Sequence, residues 1–364
     1  MHGRFKGIRQ LLQLVQPKNR SILGIDITST AVKILEISGS ADALRVENYG
    51  RELLPPNALD GNIIRDIDAV AQCIKTLLNR LQIKCTQIAL AVPDAAIISK
   101  IVQINDGLNN EEMEELIVIE ADKYIPYPID EINLDFEILG YSEKNKTMLD
   151  VLIVASRAEN VNNRVETVTR AGLTPMVVDV ESYAVERAAQ QIAKDLPASG
   201  QDKTVAIIDI GANYTHLFVL HGMKLVYSRD EKFGGMQLLE AIAAHYHMTI
   251  EHASAAKEQG QLPADYEAQV LEPFKENILL QIKRTLHFFN SASQEEFVDH
   301  ILLAGGLARL PGLVSFIQEQ LGVTTTVANP FSYMTPGKKV HLDSINQDAP
   351  ALMVACGLAL RNIE

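Results

Sequence analysis

Residues 23–37 (LGIDITSTAVKILEI) and 205–220 (VAIIDIGANYTHLFVL) are written to one plan. Each is an apolar strand ending in aspartate, then a short turn of small and hydroxyl-bearing residues, then a second apolar strand. The aspartates, Asp26 and Asp209, stand 183 positions apart, so each can open its own lobe. Two such hairpins facing each other line a cleft with carboxylates, hydroxyls and backbone N–H groups. Turn amides cradle phosphates and carboxylates hold Mg²⁺ or its waters, so the pattern predicts a site for a nucleoside triphosphate with Mg²⁺.

A single Asp-x-Gly turn such as Asp209–Gly211 is ordinary turn chemistry. A third segment raises its weight. Residues 300–322 (HILLAGGLARLPGLVSFIQEQLG) read as an apolar strand, a Gly305-Gly306 turn and an amphipathic helix. Glycines there let the backbone approach a ligand, and the helix N-terminus favours an anion.

Composition narrows the classes further. A chain of 364 residues forms two or more compact units, and 47% hydrophobic content supplies their cores. A net charge of −13, no Trp and 5% aromatic residues argue against a general nucleic-acid binder. Cys73, Cys85 and Cys356 have no metal-ligand spacing and read as buried thiols in a reducing compartment. The apolar run Ala351–Leu360 is about half the ~20 residues of a membrane span, and no signal-peptide core opens the chain, so the expected location is cytoplasmic. Residues 1–20 differ in character. Phe5, Ile8, Leu11, Leu12 and Val15 share a helical face, and Arg4, Lys6, Arg9, Lys18 and Arg20 add positive charge. That segment is docked on the body or touches an anionic membrane surface.

The α/β fold expected has two lobes. Residues 21–94 and 172–200 make the first, with a strand meander over 21–54, a break at Pro55-Pro56-Asn57, a helix over 64–81 and a buried strand at Gln87–Pro93. Residues 95–171 read β-α-β-β-α, with a helix from Asn109 capped by Asn109 and Glu112. LPASGQDK, residues 196–203, reads as a hinge-like linker. Residues 201–364 make the second lobe, with a smaller part at about 231–298 and a closing helix from Ala349 to Arg361.

The order aspartate hairpin, aspartate hairpin, strand-GG-helix resembles the actin, Hsp70 and sugar kinase superfamily. GIDITSTAVKILEIS, EADKYIPYPIDEINLDFEILG, DVESYAVERA and ALMVACGLALR narrow the resemblance to the PilM family of type IV pilus assembly proteins, related to the cell-division protein FtsA. It runs from about residue 21 to 363. The resemblance implies a two-lobed actin-like ATPase fold with residues 95–171 as the inserted subdomain termed 1C. It implies ATP and Mg²⁺ as cofactors, with slow hydrolysis if any. The implied partner is the N-terminal cytoplasmic peptide of the inner-membrane protein PilN, bound beside residues 124–132, where Tyr124, Ile125, Pro126 and Tyr127 offer a stiffened apolar segment. The PilN/PilO inner-membrane complex, the pilus motor ATPase or platform protein, and self-association are further partners it brings into view, with peripheral attachment to the inner membrane through them.

By the same resemblance, Asp26 and Asp209 match the aspartates around Mg²⁺, acting through water. Ser29 and Thr30 match the first phosphate turn, followed by Lys33, which binds phosphate or only faces solvent. Gly211, Asn213 and Thr215 match the second turn. Gly234, Gly235, Lys257 and Glu258 match the adenosine side, and Gly305, Gly306 and Arg309 the opposite wall. Glu181, opening a helix, is the candidate for orienting an attacking water, although acidic residues favour helix starts for the dipole alone. Thr28 departs from the glycine usual in the first turn. Two alternatives are an FtsA-like division protein and a small-molecule kinase of the superfamily. Against the kinase, no substrate-side base is visible. Against FtsA, the sequence ends directly after its closing helix.

Overall fold

The structure, a computed structural model, describes residues 21–143, 145–292 and 297–363. The amphipathic segment at 1–20 lies outside the described residues.

The first lobe opens with an antiparallel meander of β1 (Leu23–Ile27), β2 (Ala31–Ser40) and β3 (Ala43–Leu53). A small hairpin, β4 (Leu59–Asp60) and β5 (Ile63–Ile64), follows the proline break. Helix α1 (Ile67–Leu81) starts where Asp66 accepts from the Ala69 N–H at 2.9 Å, and ends at Gln82 in the left-handed conformation. Its Val70, Ile74 and Leu77 recur at helical spacing and are buried. Strand β6 (Gln87–Val92) then runs parallel to β1.

The inserted unit comprises β7 (Ile97–Asn105), α2 (Asn110–Asp122), β8 (Ile132–Tyr141), β9 (Met148–Arg157) and α3 (Ala158–Arg170). The three strands make a separate sheet with β9 in the centre. The expected cap forms: Asn109 accepts from the Glu112 N–H at 3.0 Å, and Glu112 accepts from the Asn109 N–H at 3.0 Å. Met113 and Ile117 of α2 cover Val102, Val151 and Ile153 of the sheet. Helix α3 reaches back instead. Its Val168 joins the first lobe's core, and Arg170 pairs with Asp68 of α1 at 2.6 Å. Strand β10 (Thr174–Val180) returns beside β6, and α4 (Glu181–Ile192) follows.

Residues 196–203 are more fixed than a hinge-like linker. Ala198 and Ser199 turn in the left-handed conformation, Leu196 and Gly200 are buried, and Gly200 lies against Met223. Burial of an apolar side chain within the linker is what pins it.

The second lobe repeats the first. Strands β11 (Thr204–Ile210), β12 (Thr215–His221) and β13 (Lys224–Glu231) form its antiparallel meander. Helices α5 (Gly235–His245), α6 (Ile250–Glu258) and α7 (Glu272–Ala292) lead to β14 (His300–Ala304), α8 (Leu313–Leu321) and β15 (Thr324–Val327). Strand order is β13-β12-β11-β14-β15, with β14 parallel to β11 as β6 is to β1. The chain then crosses back. Strand β16 (Thr335–Pro336) pairs with Arg45 and Val46, giving the first sheet the order β10-β6-β1-β2-β3-β16.

Helices α9 (Leu342–Asp348) and α10 (Met353–Ala359) close the fold. The closing helix expected from Ala349 begins as a 3₁₀ turn, Ala349–Leu352, with Pro350 in its first turn. Gly357 lets α10 cross directly over Ala184 of α4, where a Cβ would strike the Ala184 carbonyl. The two helices share one core with both sheets, joining Leu35 and Ile37 of β2 to Val205 and Ile207 of β11 through Val185 and Cys356. Each such Leu or Ile contributes about 1.5–3 kcal/mol on burial, so the lobes are coupled rather than freely hinged. No helix among the described residues is long and apolar enough to cross a membrane.

Candidate functional site

The two hairpin turns meet between the lobes. Asp26 is 4% exposed, and its Oδ2 lies 3.0 Å from Lys33 Nζ, directly across the β1–β2 pair. In the second hairpin the residue across from Asp209 is His216, whose Nδ1 lies 2.6 Å from Asp230 Oδ1. Each hairpin thus sets a cation opposite its aspartate at the same seven-residue spacing. That spacing was the signal for His216 in the sequence, and the expectation above missed it.

Thr28 closes the first turn without glycine. Its N–H donates to the Ala31 carbonyl at 2.9 Å, and its Oγ1 accepts from the Ala31 N–H at 3.2 Å. Its φ is not positive, so no left-handed strain arises. Ser29 and Thr30 are half-buried beside it, and the Thr30 carbonyl accepts from Leu54 N–H at 2.9 Å.

The second turn is clamped by α5. Gly235 N–H donates to the Gly211 carbonyl at 2.9 Å and Met236 N–H to Ala212 at 2.7 Å. A Cβ on Gly234 would lie 2.5 Å from the Gly211 oxygen, so the approach needs glycine there. Asn213 Nδ2 donates across the cleft to Ser29 Oγ at 2.9 Å. The Thr215 hydroxyl is committed to the Phe233 carbonyl at 2.8 Å.

The Gly305-Gly306 turn seats against this hairpin. Gly305 has φ +85, and a Cβ there would lie 2.5 Å from Asp209 Oδ1. Gly306 faces open space. Arg309 bonds the Asn346 carbonyl of α9 at 2.7 Å. Lys257 is half-buried and Glu258 exposed, and together they end α6.

Charge is concentrated here. Burial pushes the Glu181 carboxyl up to about 8; His216 and Arg164 pull it down, while Asp26 and Asp94 add to the rise. Burial likewise raises Asp209, against the pull of Lys33 and His216. Burial opposes the charge on Lys33, but Asp26, Asp209 and Glu181 outweigh it and the ammonium is held more firmly than usual.

Two further groups came from outside the sequence motifs. Arg164, on α3 of the inserted unit, is 2% exposed and bonds the carbonyls of Ala91 at 2.9 Å and Asn62 at 3.0 Å. Asp94 accepts from Ser182 N–H at 3.1 Å and from the Ser228 hydroxyl of the second lobe at 3.3 Å. No local motif marked either residue, because chain folding alone carries them to the cleft.

The donor set suits a hydrated hard cation. Among the described residues no three His, Cys, Asp or Glu side chains converge on one point. Two carboxylates with phosphate oxygens and water fit Mg²⁺, which keeps several of its waters.

A second concavity lies on the inserted unit. A cavity of ≈ 110 Å³ is lined by Ala95, Ile98, Ile125, Tyr127, Arg157 and Asn160, among others. Ile125 also belongs to the unit's core, whereas Tyr124 and Tyr127 are exposed. Arg157 sits 5.3 Å from the Tyr127 ring centroid and Lys100 5.4 Å from that of Tyr124. Pro126 is exposed between them.

Two lobes of one repeated plan, with aspartate hairpins facing across a cleft, define the actin-like fold. Type IV pilus assembly protein PilM is the family that matches, over residues 24–363, and the chain belongs to that family. A solved PilM-PilN type IV pilus biogenesis complex shares 28% identity, covering 96% of this chain and 100% of that one, with a TM-score of 0.79. The ethanolamine utilization protein EutJ from Carboxydothermus hydrogenoformans shares the fold alone, at 16% identity over 97% of this chain and 93% of its own, with a TM-score of 0.57.

Proposed function

We propose that the chain is an ATP-binding scaffold of the type IV pilus assembly machinery. In this reading the cleft holds ATP with Mg²⁺, and the inserted unit binds the N-terminal cytoplasmic peptide of PilN. Asp26 and Asp209 hold the cation through water. Ser29, Thr30 and Lys33, with Gly211 and Asn213, face the phosphates. Gly234, Gly235, Lys257 and Glu258 flank the adenosine. The peptide partner attaches the protein peripherally to the inner membrane.

The observation that carries the reading is the apposition of the two turns, with Asn213 of the turn after Asp209 bonded to Ser29 of the turn after Asp26. The 28% identity to the PilM-PilN complex over nearly the whole chain supports the peptide partner. The cavity beside Tyr127, lined by Ile98 and Ile125 together with Arg157 and Asn160, gives an extended peptide both apolar and polar contacts. The lack of a visible substrate-side base in the sequence favours a scaffold over a kinase.

Titration with ATP and Mg²⁺ tests the nucleotide half. Asp209→Ala removes one of the two carboxylates and weakens binding at least roughly tenfold, about 1.4 kcal/mol. Superimposable curves for wild type and variant would remove Asp209 from the site.

A further inference from the structure

The outer face of α7 carries Leu280, Arg284 and Phe288 at four-residue intervals, so the three form one stripe. Leu280 is 61% exposed and Phe288 37%, whereas Phe274, Ile278, Ile282 and Phe289 on the inner face are buried in the second lobe. Cations frame the exposed pair. Arg229 and Arg284 lie 3.9 Å and 5.8 Å from the Phe288 ring centroid. Lys283 and His287 are exposed alongside. Arg229 is paired with Glu231 at 2.9 Å, but Lys283 and Arg284 have no acidic partner among the described residues. A helix face of this composition fits an anionic lipid surface. Its apolar side chains enter the headgroup layer while lysine and arginine meet the phosphates.

The place of the strip in the fold supports that occupant. Ser228 and Arg229 are consecutive on β13, so their side chains leave opposite faces of the strand. Ser228 bonds Asp94, which adjoins Ala95 and Ala96 of the cavity on the inserted unit. Arg229 stacks on Phe288. The strip and the root of the inserted unit therefore border the same strand.

We propose that the Leu280–Phe288 strip contacts anionic headgroups of the membrane that carries the peptide partner. This rests on the reading above, in which the inserted unit binds a peptide of an inner-membrane protein. Continuity with that site favours lipid over an acidic protein, because the bound peptide continues into a membrane-embedded chain. The contact is weak from solution, since an anionic surface repels a chain of net charge −13. Once the peptide tethers the chain, the strip meets lipid at high effective concentration. Screening over about 8 Å then leaves the cations nearest the headgroups to decide the contact.

Flotation of the full chain with vesicles that display a lipid-anchored PilN N-terminal peptide tests this. One set is phosphatidylcholine alone, and the other includes about a third phosphatidylglycerol. The neutral set reads the peptide, and the anionic set adds the strip. Wild type is expected to bind the anionic set about tenfold more tightly, a gain that fades as salt rises. Lys283→Glu combined with Arg284→Glu removes the gain and leaves binding to the neutral set unchanged. Leu280→Ser, which alters no charge, lowers the gain several-fold. Glu276→Lys, exposed one turn before Leu280, increases it. Melting temperatures stay at the wild-type value because all four positions are exposed. Residues 1–20 are the same in every variant, so the differences read the strip alone. Equal binding to the two sets, or a gain that survives charge reversal at Lys283 and Arg284, would overturn the proposal and leave the peptide reading intact. No binding to the neutral set would overturn that reading and this proposal with it.

Discussion

The Asn213 side-chain amide donates to the Ser29 hydroxyl at 2.9 Å, joining two turns whose residues stand 184 apart in the chain. The bond ties together the two turns proposed to face the phosphates. A neutral hydrogen bond of this kind contributes only about 0.5–1.5 kcal/mol to stability. Ser29→Ala is therefore expected to leave the melting temperature nearly unchanged and to weaken ATP binding several-fold, because the hydroxyl is lost to the phosphates too. Calorimetric titration checks this. Unchanged ATP affinity would make the contact a latch between lobes and nothing more.

Adjacent glycines in the third wall should behave oppositely. A methyl on Gly305 meets the Ile210 carbonyl and the Asp209 carboxylate, at a backbone angle that L-residues resist. Gly305→Ala is expected to cost about 2 kcal/mol or more and to displace Asp209, lowering both melting temperature and ATP affinity. Gly306→Ala meets open space and should change stability by less than about 1 kcal/mol. Equal effects from the two substitutions would show that the seat of this turn on Asp209 is not what holds it.

Much of this fold was legible because local chemistry and global packing agree. The Asn109–Glu112 box, the period of α1 and the repeated hairpin each state their element within about a dozen residues. Other features depend on residues distant in sequence. Thr28 closes its turn at an ordinary φ with a hydroxyl hydrogen bond, which a motif that counts glycines misreads. Arg164 lies on a polar helix whose arginine looks solvated until α3 is seen folded against the first lobe. Leu196 makes a linker rigid only because a core exists to receive it. Even His216, the counterpart of Lys33, needed the two hairpins to be superposed before its position had meaning.

The cleft predicts a dependence of stability on pH. Burial pushes Glu181 up to about 8 from an ordinary 4.5. His216 is raised to about 9 although burial opposes its charge, because Asp230, Glu181 and Asp209 favour the imidazolium. Both groups hold protons more tightly in the folded chain than in the unfolded one. Their stabilisation is complete below the unfolded values and is lost as pH rises, through about 8 for Glu181 and about 9 for His216. The melting temperature of the nucleotide-free chain should fall across that window. Glu181→Gln removes one titrating proton, worth up to about 1.4 kcal/mol per pH unit, and should flatten the fall. An identical slope in wild type and variant would show that Glu181 titrates outside this range.

Arg164 joins the inserted unit to the cleft. Its guanidinium satisfies two backbone carbonyls and lies near the charges of Glu181 and Asp26. Arg164→Met keeps the bulk but leaves both carbonyls without their donor, and is expected to cost about 3 kcal/mol in chemical denaturation. Arg164→Lys should recover only part of this, since one ammonium lacks the planar fork. Full recovery by lysine would mean that charge alone matters there.

Peptide binding can be separated from the cleft by surgery suggested by the inserted sheet. Ile97 pairs with Ser156 across β7 and β9, so the chain enters and leaves the sheet at adjacent points. Residues 97–156 can therefore give way to a short Gly/Ser linker while α3, which packs on α1 and carries Arg164, stays in place. The trimmed protein should keep its ATP affinity, which reports that both lobes are folded, and should lose binding of a PilN N-terminal peptide. Point changes refine the location. Tyr127→Ala removes the exposed ring beside the cavity, and Arg157→Glu removes the guanidinium stacked on it. Each is expected to weaken the peptide about tenfold, as loss of an aromatic or arginine anchor commonly does. Peptide affinity that survives the trimming in a protein still competent for ATP would move the partner site off the inserted sheet altogether.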